Sequence, residues 1–343
     1  MTDAPIIHEG TSLDEATICW RNEKHLMVFA GRSNPELGMR IADVLGVRLG
    51  SVMLKTFANG EIYARFEESV RGSDLFIIQS PYGADTLNDH IMELVLMIQA
   101  AKLASARRVT AVMPYFAYAR QDKKSTAREP ISARLMATLL EAAGADRVLS
   151  MDLHQGQIQG FFQIPVDHMT AVPMLADYFA YRDFDVPVVA VSADAGGVKL
   201  AKRFQAHIPD CGLAVLTKQR TDHNKAEALH FIGDVEGKAA IIIDDMIDTG
   251  GSIVSAIEML YARGAKDVYA AATHGIFSPP ARERIRESQV REVVVSDTVR
   301  IEPGPRDDKI KVLSVAGTLA NVIRAVFTDD SVSDIFAGEH QLF

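Results

Sequence analysis

The sequence predicts an α/β fold: two mainly parallel sheets, each flanked by helices. Three observations predict it. Short runs of Val, Ile, Leu and Ala recur along the chain without internal polar alternation, as in strands covered on both faces. Between them lie segments whose apolar residues return every three to four positions. The 343 residues leave room for two such units.

The elements follow in order. "HLMVFA" (25–30) reads as a strand, and "NPELGMRIADVLG" (34–46) as a helix with Asn34 as cap and Pro35 at its first position. "DLFIIQS" (74–80) is a buried strand. Residues 87–103 form a helix with Leu87, Ile91, Leu94, Val95, Ile98 and Ala101 on one face. "RVTAVMP" (108–114) is a strand, and residues 131–143 a helix between Pro130 and Gly144. "DRVLSMDL" is the next strand. The second half repeats the rhythm with strands at 186–193 and 212–218, a helix at 195–206, then "AAIIIDD", a helix, "DVYAAATHG" and "REVVVSD". The boundary is expected near residues 165–172. Residues 25–170 form the first unit and 171–326 the second, with 327–343 returning to the first and 1–24 as an extension.

Bulk composition narrows the function. Hydrophobic residues at 48% and charged residues at 24% suit a soluble globular protein with a sizeable core. A net charge of −9 argues against a general nucleic-acid binder, because phosphate affinity comes from Lys and Arg. Cys19 and Cys211 form neither a disulfide framework nor a zinc pattern, so a reducing cytoplasm is expected. The acidic N-terminus lacks the apolar region of a signal peptide, and no apolar run is long enough to span a bilayer.

The chemistry concentrates in "KAAIIIDDMIDTGGSIVSAIEMLYARGA" (238–265). An apolar strand ends in Asp244 and Asp245. Asp248, Thr249, Gly250, Gly251 and Ser252 then lead into a helix. In an open parallel sheet, ligands bind at the carboxyl ends of strands. Backbone N–H groups at a helix start favour a phosphate, and glycines allow close approach. No lysine follows the glycines, so this is not a Walker A loop. The paired carboxylates make sense if the ligand also offers sugar hydroxyls, as a phosphorylated sugar does. Taken bare, the stretch could instead be a capped turn with solubilising acids. A second feature is "YFAYARQDKKSTAREP" (115–130), a long basic loop. It is either a solvated surface loop or a mobile cover for a polyanion.

The acidic pair followed by Asp-Thr-Gly-Gly-Ser resembles the phosphoribosyl-diphosphate motif of the type I phosphoribosyltransferase fold. Within that fold the chain resembles the ribose-phosphate diphosphokinases (PRPP synthetases) of the phosphate-activated class. The similar stretches are "FANGEI" (57–62), "YARQDKK" (118–124), "REPISARL" (128–135), "MDLHQGQIQGFFQIPVDH" (151–168), "SADAGGVK" (192–199), "TKQR" (217–220) and "DDMIDTGGS" (244–252). They run collinearly from about residue 25 to "SVSDIF" at 331–336, and the ordered set is far more specific than any one of them.

The resemblance implies two phosphoribosyltransferase-like domains and a reaction in which ATP and ribose 5-phosphate give AMP and 5-phosphoribosyl 1-diphosphate. Thr249, Gly250, Gly251 and Ser252 would take the 5-phosphate, Asp244 and Asp245 the ribose hydroxyls, and Asp248 would shape the loop. Lys218 and Arg220, two apart on a strand and so on one side, would stabilise the transferring group. Without the resemblance they are a solvated basic strand end. His154 and Asp194 would serve Mg²⁺, which keeps waters and uses few protein ligands, with Asp152 orienting the site and Lys199 near the phosphates. Arg120, Gln121, Asp122 and Lys123 would line ATP, while Phe57, Asn59 and Glu61 would reach adenine from a neighbouring subunit. The family suggests a cytoplasmic hexamer built from dimers. Phosphate and ADP would act as effectors near Ser69, Arg71, Ser331 and Ser333.

The chain departs from the family pattern at Ala193, where proline is common, in "TDHNKAEAL" after "TKQR", and at Asp334, a commonly aromatic position. Two alternatives stand beside the enzyme: a catalytically silent subunit that binds a true synthetase, and a phosphoribosyltransferase that consumes the diphosphate. The second domain, "YARQDKK" and "TKQR" do not suit the last.

Overall fold

The computed structural model describes residues 24–219, 228–302, 304 and 308–336. Strand β1 (Leu26–Ala30) leads to helix α1 (Pro35–Leu45), the hairpin strands β2 (Val52–Thr56) and β3 (Ile62–Phe66), β4 (Asp74–Ile78) and α2 (Leu87–Leu103). Then come β5 (Arg108–Met113), α3 (Ser132–Ala143), β6 (Arg147–Met151), β7 (Val166–Met169) and α4 (Val172–Ala180). The second half contains β8 (Val188–Ser192), α5 (Val198–Ala206), β9 (Gly212–Gln219), β10 (Ala228–Ile232), β11 (Ala239–Ile247), α6 (Gly251–Ala262) and β12 (Asp267–Gly275). It ends with α7 (Ala281–Glu287), β13 (Glu292–Ser296), β14 (Ile310–Leu313) and α8 (Ala316–Thr328).

The first sheet has the order β1-β4-β5-β6-β7 and is parallel throughout. The second has the order β10-β9-β8-β11-β12-β13-β14, parallel except for β10 against β9. From β8 the chain winds outward one way through β9 and β10, then returns to β11 on the other flank. The crevice between the carboxyl ends of β8 and β11 is therefore the topological switch point, the place where such sheets bind ligands.

The expected cap holds: the Leu37 N–H donates to Asn34 Oδ1 at 3.3 Å, and Pro35 opens α1. Helix α2 covers the predicted span, and α3 ends at Gly144 in the left-handed conformation. Helix α5 begins three residues later than expected, because residues 194–197 form a turn in which Asp194 Oδ1 accepts from the Gly197 N–H at 2.8 Å. The β2–β3 hairpin was not apparent in the sequence. Its tip, residues 57–61, turns through Gly60 at φ +91°.

Three large apolar cores separate the layers, and a smaller fourth gathers Tyr115, Ala117, Met246 and Val299. One lies between the first sheet and α2 and α3, and another between the second sheet and α6 and α7. The third is shared: it joins Val28 and Ile78 of the first sheet to Ala190 and Ile243 of the second through α1, α4, α5 and α8. Beyond α8, Asp329 receives Lys24 and also Arg108 Nη1 at 2.9 Å, fastening the end of the helix to the first half. Among the described residues no helix is long and apolar enough to cross a membrane.

One buried residue breaks the helical pattern. Glu93 on α2 is fully buried and accepts from the Arg32 N–H at 2.7 Å, from Arg32 Nε, and from Gln79 Nε2 at 2.8 Å. Removing its carboxylate strands these donors. Glu93→Ala is expected to destabilise the protein by about 3 kcal/mol and Glu93→Gln by less, since one acceptor oxygen remains. Thermal and urea unfolding measure both; equal, negligible losses would contradict this account.

Candidate active site

The switch point gathers four acidic or imidazole side chains. Asp194 follows β8, Asp244 and Asp245 lie on β11, and His154 comes from the loop after β6 of the other half. All four line a crevice of about 300 Å³, together with Gln157 and with Lys199 and Arg203 of α5. His154 Nδ1 sits 2.8 Å from Asp245 Oδ2. That hydrogen bond raises the His154 pKa against the opposing effect of burial. Burial also opposes ionisation of Asp245, but the contact with His154 outweighs it and holds the Asp245 carboxyl below its ordinary range. Asp244 goes the other way. Burial first, then the charge of Asp245, with a smaller push from Asp194, lift it well above the carboxylate range. The crevice thus sets a hydrogen-bonded His154–Asp245 pair beside a carboxyl that resists ionisation.

An adjoining crevice of about 190 Å³ is walled by Asp248 to Ile253 and shares the same four side chains. Gly250 stands at φ +74° as the cap of α6, a backbone that favours glycine. The helix starts at Gly251, so its first free N–H groups face this crevice. Arg284 Nη1 donates to the Thr249 carbonyl at 2.9 Å and steadies the loop from α7, a contact that no sequence signal announced. Geometrically the loop is an anion cradle.

The long loop after β5 closes the other side. Arg120 Nη1 donates to Asp248 Oδ2 at 2.8 Å, so the basic loop is tied to the anion cradle. Gln121 sits at the start of α3, its Oε1 accepting from Ser132 Oγ at 2.6 Å. Asp122 is buried at 6% exposure, within 3.4 Å of Gln157 Nε2, while Lys123 is exposed. Further along, the Ser125 and Thr126 N–H groups both donate to Glu129 Oε2, at 2.8 and 2.9 Å.

Other expected residues lie elsewhere. Phe57, Asn59 and Glu61 occupy the exposed hairpin tip, where Phe57 packs edge-on to Tyr63 and Asn59 Oδ1 accepts from the Glu61 N–H at 3.2 Å. They line neither crevice. The backbone of Lys218 lies on β9 opposite Leu229, but its side chain and all of Arg220 fall outside the described residues, as does most of "TDHNKAEAL". Ser69 and Arg71 are exposed before β4. Ser331 follows α8, and Ser333 opens a 3-10 turn that contains Asp334. Ile335 and Phe336 from that turn line a separate groove with Met174 and His207, which Ser69 and Arg71 do not enter.

The chain carrying this crevice is similar to known proteins over most of its length. A model of the N-terminal domain of ribose phosphate pyrophosphokinase matches residues 26–144, and one of the phosphoribosyl synthetase-associated domain matches residues 211–337. The ribose-phosphate pyrophosphokinase of Clostridium acetobutylicum is 50% identical over 319 residues, which is 92% of this chain and 98% of that protein. The chain belongs to the ribose-phosphate pyrophosphokinase family. The Streptomyces avermitilis relative is 48% identical over 317 residues, covering 92% of this chain and 97% of its own. Phosphoribosylpyrophosphate synthetase from Mycobacterium smegmatis superposes with a TM-score of 0.83 at 48% identity, covering 89% of this chain and all of that one. The α/β fold with helix-flanked parallel sheets is the family's.

The His154–Asp245 contact makes a pH prediction. Histidine C2-hydrogen exchange read by mass spectrometry on metal-free protein is expected to give His154 a midpoint above 6.5, its ordinary value. Asp245→Asn removes the largest raising cause and leaves burial, so the midpoint falls. An unmoved midpoint would show that Asp245 is not the cause.

Proposed function

We propose that the chain is an active ribose-phosphate diphosphokinase and not a silent subunit. It transfers the β,γ-diphosphoryl group of ATP to the 1-hydroxyl of ribose 5-phosphate, yielding AMP and 5-phosphoribosyl 1-diphosphate for nucleotide biosynthesis. The observation that carries this reading is the meeting of anion cradle, acidic crevice and basic loop at one switch point.

Thr249 to Ser252 hold the 5-phosphate through backbone N–H groups and hydroxyls. Asp244 and Asp245 accept from the ribose hydroxyls, which fixes the sugar so that its anomeric oxygen faces the diphosphoryl group. Such transfers depend on positioning and charge neutralisation. Lys218, whose backbone lies on β9, and Arg220, which follows it in the sequence, supply the cations. Arg120, Gln121, Asp122 and Lys123 belong to the ATP side, and their loop acts as a cover that excludes water. Phe57, Asn59 and Glu61, exposed at the hairpin tip, serve the adenine of an adjacent subunit in a hexamer built from dimers. Phosphate and ADP act as effectors through Ser69, Arg71, Ser331 and Ser333.

The site also fits Mg²⁺. Asp244 is pressed by neighbouring carboxylates, and an added cation relieves that repulsion. No group of three or more His, Cys, Asp or Glu among the described residues could hold a metal by itself. An ion shared with ATP phosphates and water suits that arrangement. Asp194 and His154 would hold it, and when bound it would neutralise phosphate charge.

The decisive assay is AMP formation from ATP, ribose 5-phosphate and Mg²⁺, with and without added phosphate. Wild type is expected to form AMP only with ribose 5-phosphate, and Lys218→Ala to lose at least a hundredfold in rate. A folded wild-type protein that binds ribose 5-phosphate yet forms no AMP would favour the silent subunit. Gly250→Ala tests the cradle. Forcing a side chain into the left-handed region costs about 1–2 kcal/mol, so KM for ribose 5-phosphate is expected to rise about tenfold. An unchanged KM would remove this loop from the sugar-phosphate site.

A further inference from the structure

The loop carrying His154 belongs to the first half, whereas its partner Asp245 belongs to the second. Something must hold the loop in register with β11. Strand β6 ends at Met151, and Asp152 then turns the chain at φ +37°, a conformation that residues other than glycine adopt only when their surroundings enforce it. Its carboxylate is buried, at 5% exposure. Oδ2 accepts from the Ala171 N–H at 2.7 Å, within its own half, and from Thr273 Oγ1 at 2.6 Å, across the seam on β12. Beside it, His274 Nε2 lies 3.1 Å from the Met151 carbonyl and 3.3 Å from that of Asp152.

The register of the second sheet gives this contact its meaning. β11 and β12 pair Asp244 with Ala272 and Met246 with His274, so Asp245 and Thr273 lie side by side. Asp152 and His154 are two apart on one loop, and they engage these two neighbours on adjacent strands. The loop is docked at two points one strand spacing apart.

We propose that Asp152 is a positioning residue for the reaction, acting through its hydrogen bond from Thr273 to set His154 against Asp245. The inference rests on the functional reading above. It adds to it that the geometry of the crevice is set by a hydrogen bond in its wall, where Asp152 Oδ2 is already taken by Ala171 and Thr273. Residues 249–252 hang from α6 and α7 instead, so the sugar-phosphate cradle does not depend on this latch.

Thr273→Val removes the hydroxyl at nearly constant size, and Thr273→Ser keeps it. In Thr273→Val, kcat for AMP formation is expected to fall about 10- to 100-fold, as small misplacements do. KM for ribose 5-phosphate should stay within about twofold, because that cradle is untouched. Thr273→Ser should recover most of the rate. Asp152→Asn should cost less in the Thr273→Val background than alone, since the two changes share the Asp152–Thr273 contact and only the Ala171 contact is left to perturb. Backbone hydrogen–deuterium exchange supplies a readout independent of turnover: peptides covering residues 152–157 should exchange faster in Thr273→Val and regain protection in Thr273→Ser. All measurements are made well below each variant's melting temperature. Unchanged kcat with unchanged exchange in Thr273→Val would overturn the proposal, as would a serine variant no better than valine. If wild type forms no AMP, the functional reading fails, while the exchange pattern still decides whether the latch holds the loop.

Discussion

Everything about the site depends on how the polar seam between the two sheets is satisfied. Buried polar groups must find partners inside the protein. Here the partners come from opposite halves. Asp297, just past β13, accepts from Arg40 Nη1 at 2.6 Å and from the Val315 N–H at 2.8 Å, while its carbonyl accepts from Asn34 Nδ2 at 2.9 Å. Thr273 Oγ1 donates to Asp152 Oδ2 at 2.6 Å, and His274 Nε2 lies 3.1 Å from the Met151 carbonyl. Hydrogen bonds of this kind are directional, so they tolerate little sliding between the halves. The shared apolar core supplies the attraction and the seam supplies the registration. Two sheets from distant parts of the chain thereby deliver their loops to one crevice.

The charge pattern follows from that meeting. The chain is acidic overall, and its acids are not evenly spread. Asp194, Asp244 and Asp245 converge where a phosphorylated, cation-bearing substrate is expected, and His154 is the neighbour that offsets one of them. Within one crevice Asp244 and Asp245 are shifted in opposite directions, the first by burial and its neighbours' charge, the second by its contact with His154. Arg120, tied to Asp248, carries a positive charge between the basic loop and the cradle. A protein with this balance binds a polyanion at one place and repels it elsewhere.

Much of this was legible in the sequence. Apolar strands covered on both faces cannot be mistaken for one-sided strands, so the parallel alternation was plain. The run from Asp244 to Ser252 announced its own geometry, because a strand end, glycines and a helix start are local. The β2–β3 hairpin escaped because its strands are only half-buried and carry no strong apolar run. Glu93 escaped because a charge on a helix reads as solvent-facing until Arg32 and Gln79 are seen around it. The contacts of His154 with Asp245, Asp152 with Thr273 and Arg284 with Thr249 join residues far apart in the chain. No spacing rule reaches that far. The expected residues at 57–61 lie at the exposed hairpin tip, away from both crevices.

The packing of α8 on α1 has a consequence for how the chain is made. Arg324 on α8 donates to the Val44 carbonyl of α1 across 280 residues of sequence. At about 5–20 residues per second, a ribosome needs on the order of tens of seconds to synthesise that span. Strands β1 to β7 are complete long before then, yet the side of α1 that α8 covers is still bare. Local sheet formation can therefore run ahead, while final burial waits until α8 has been made. During that interval the nascent chain presents the kind of apolar surface to which molecular chaperones bind.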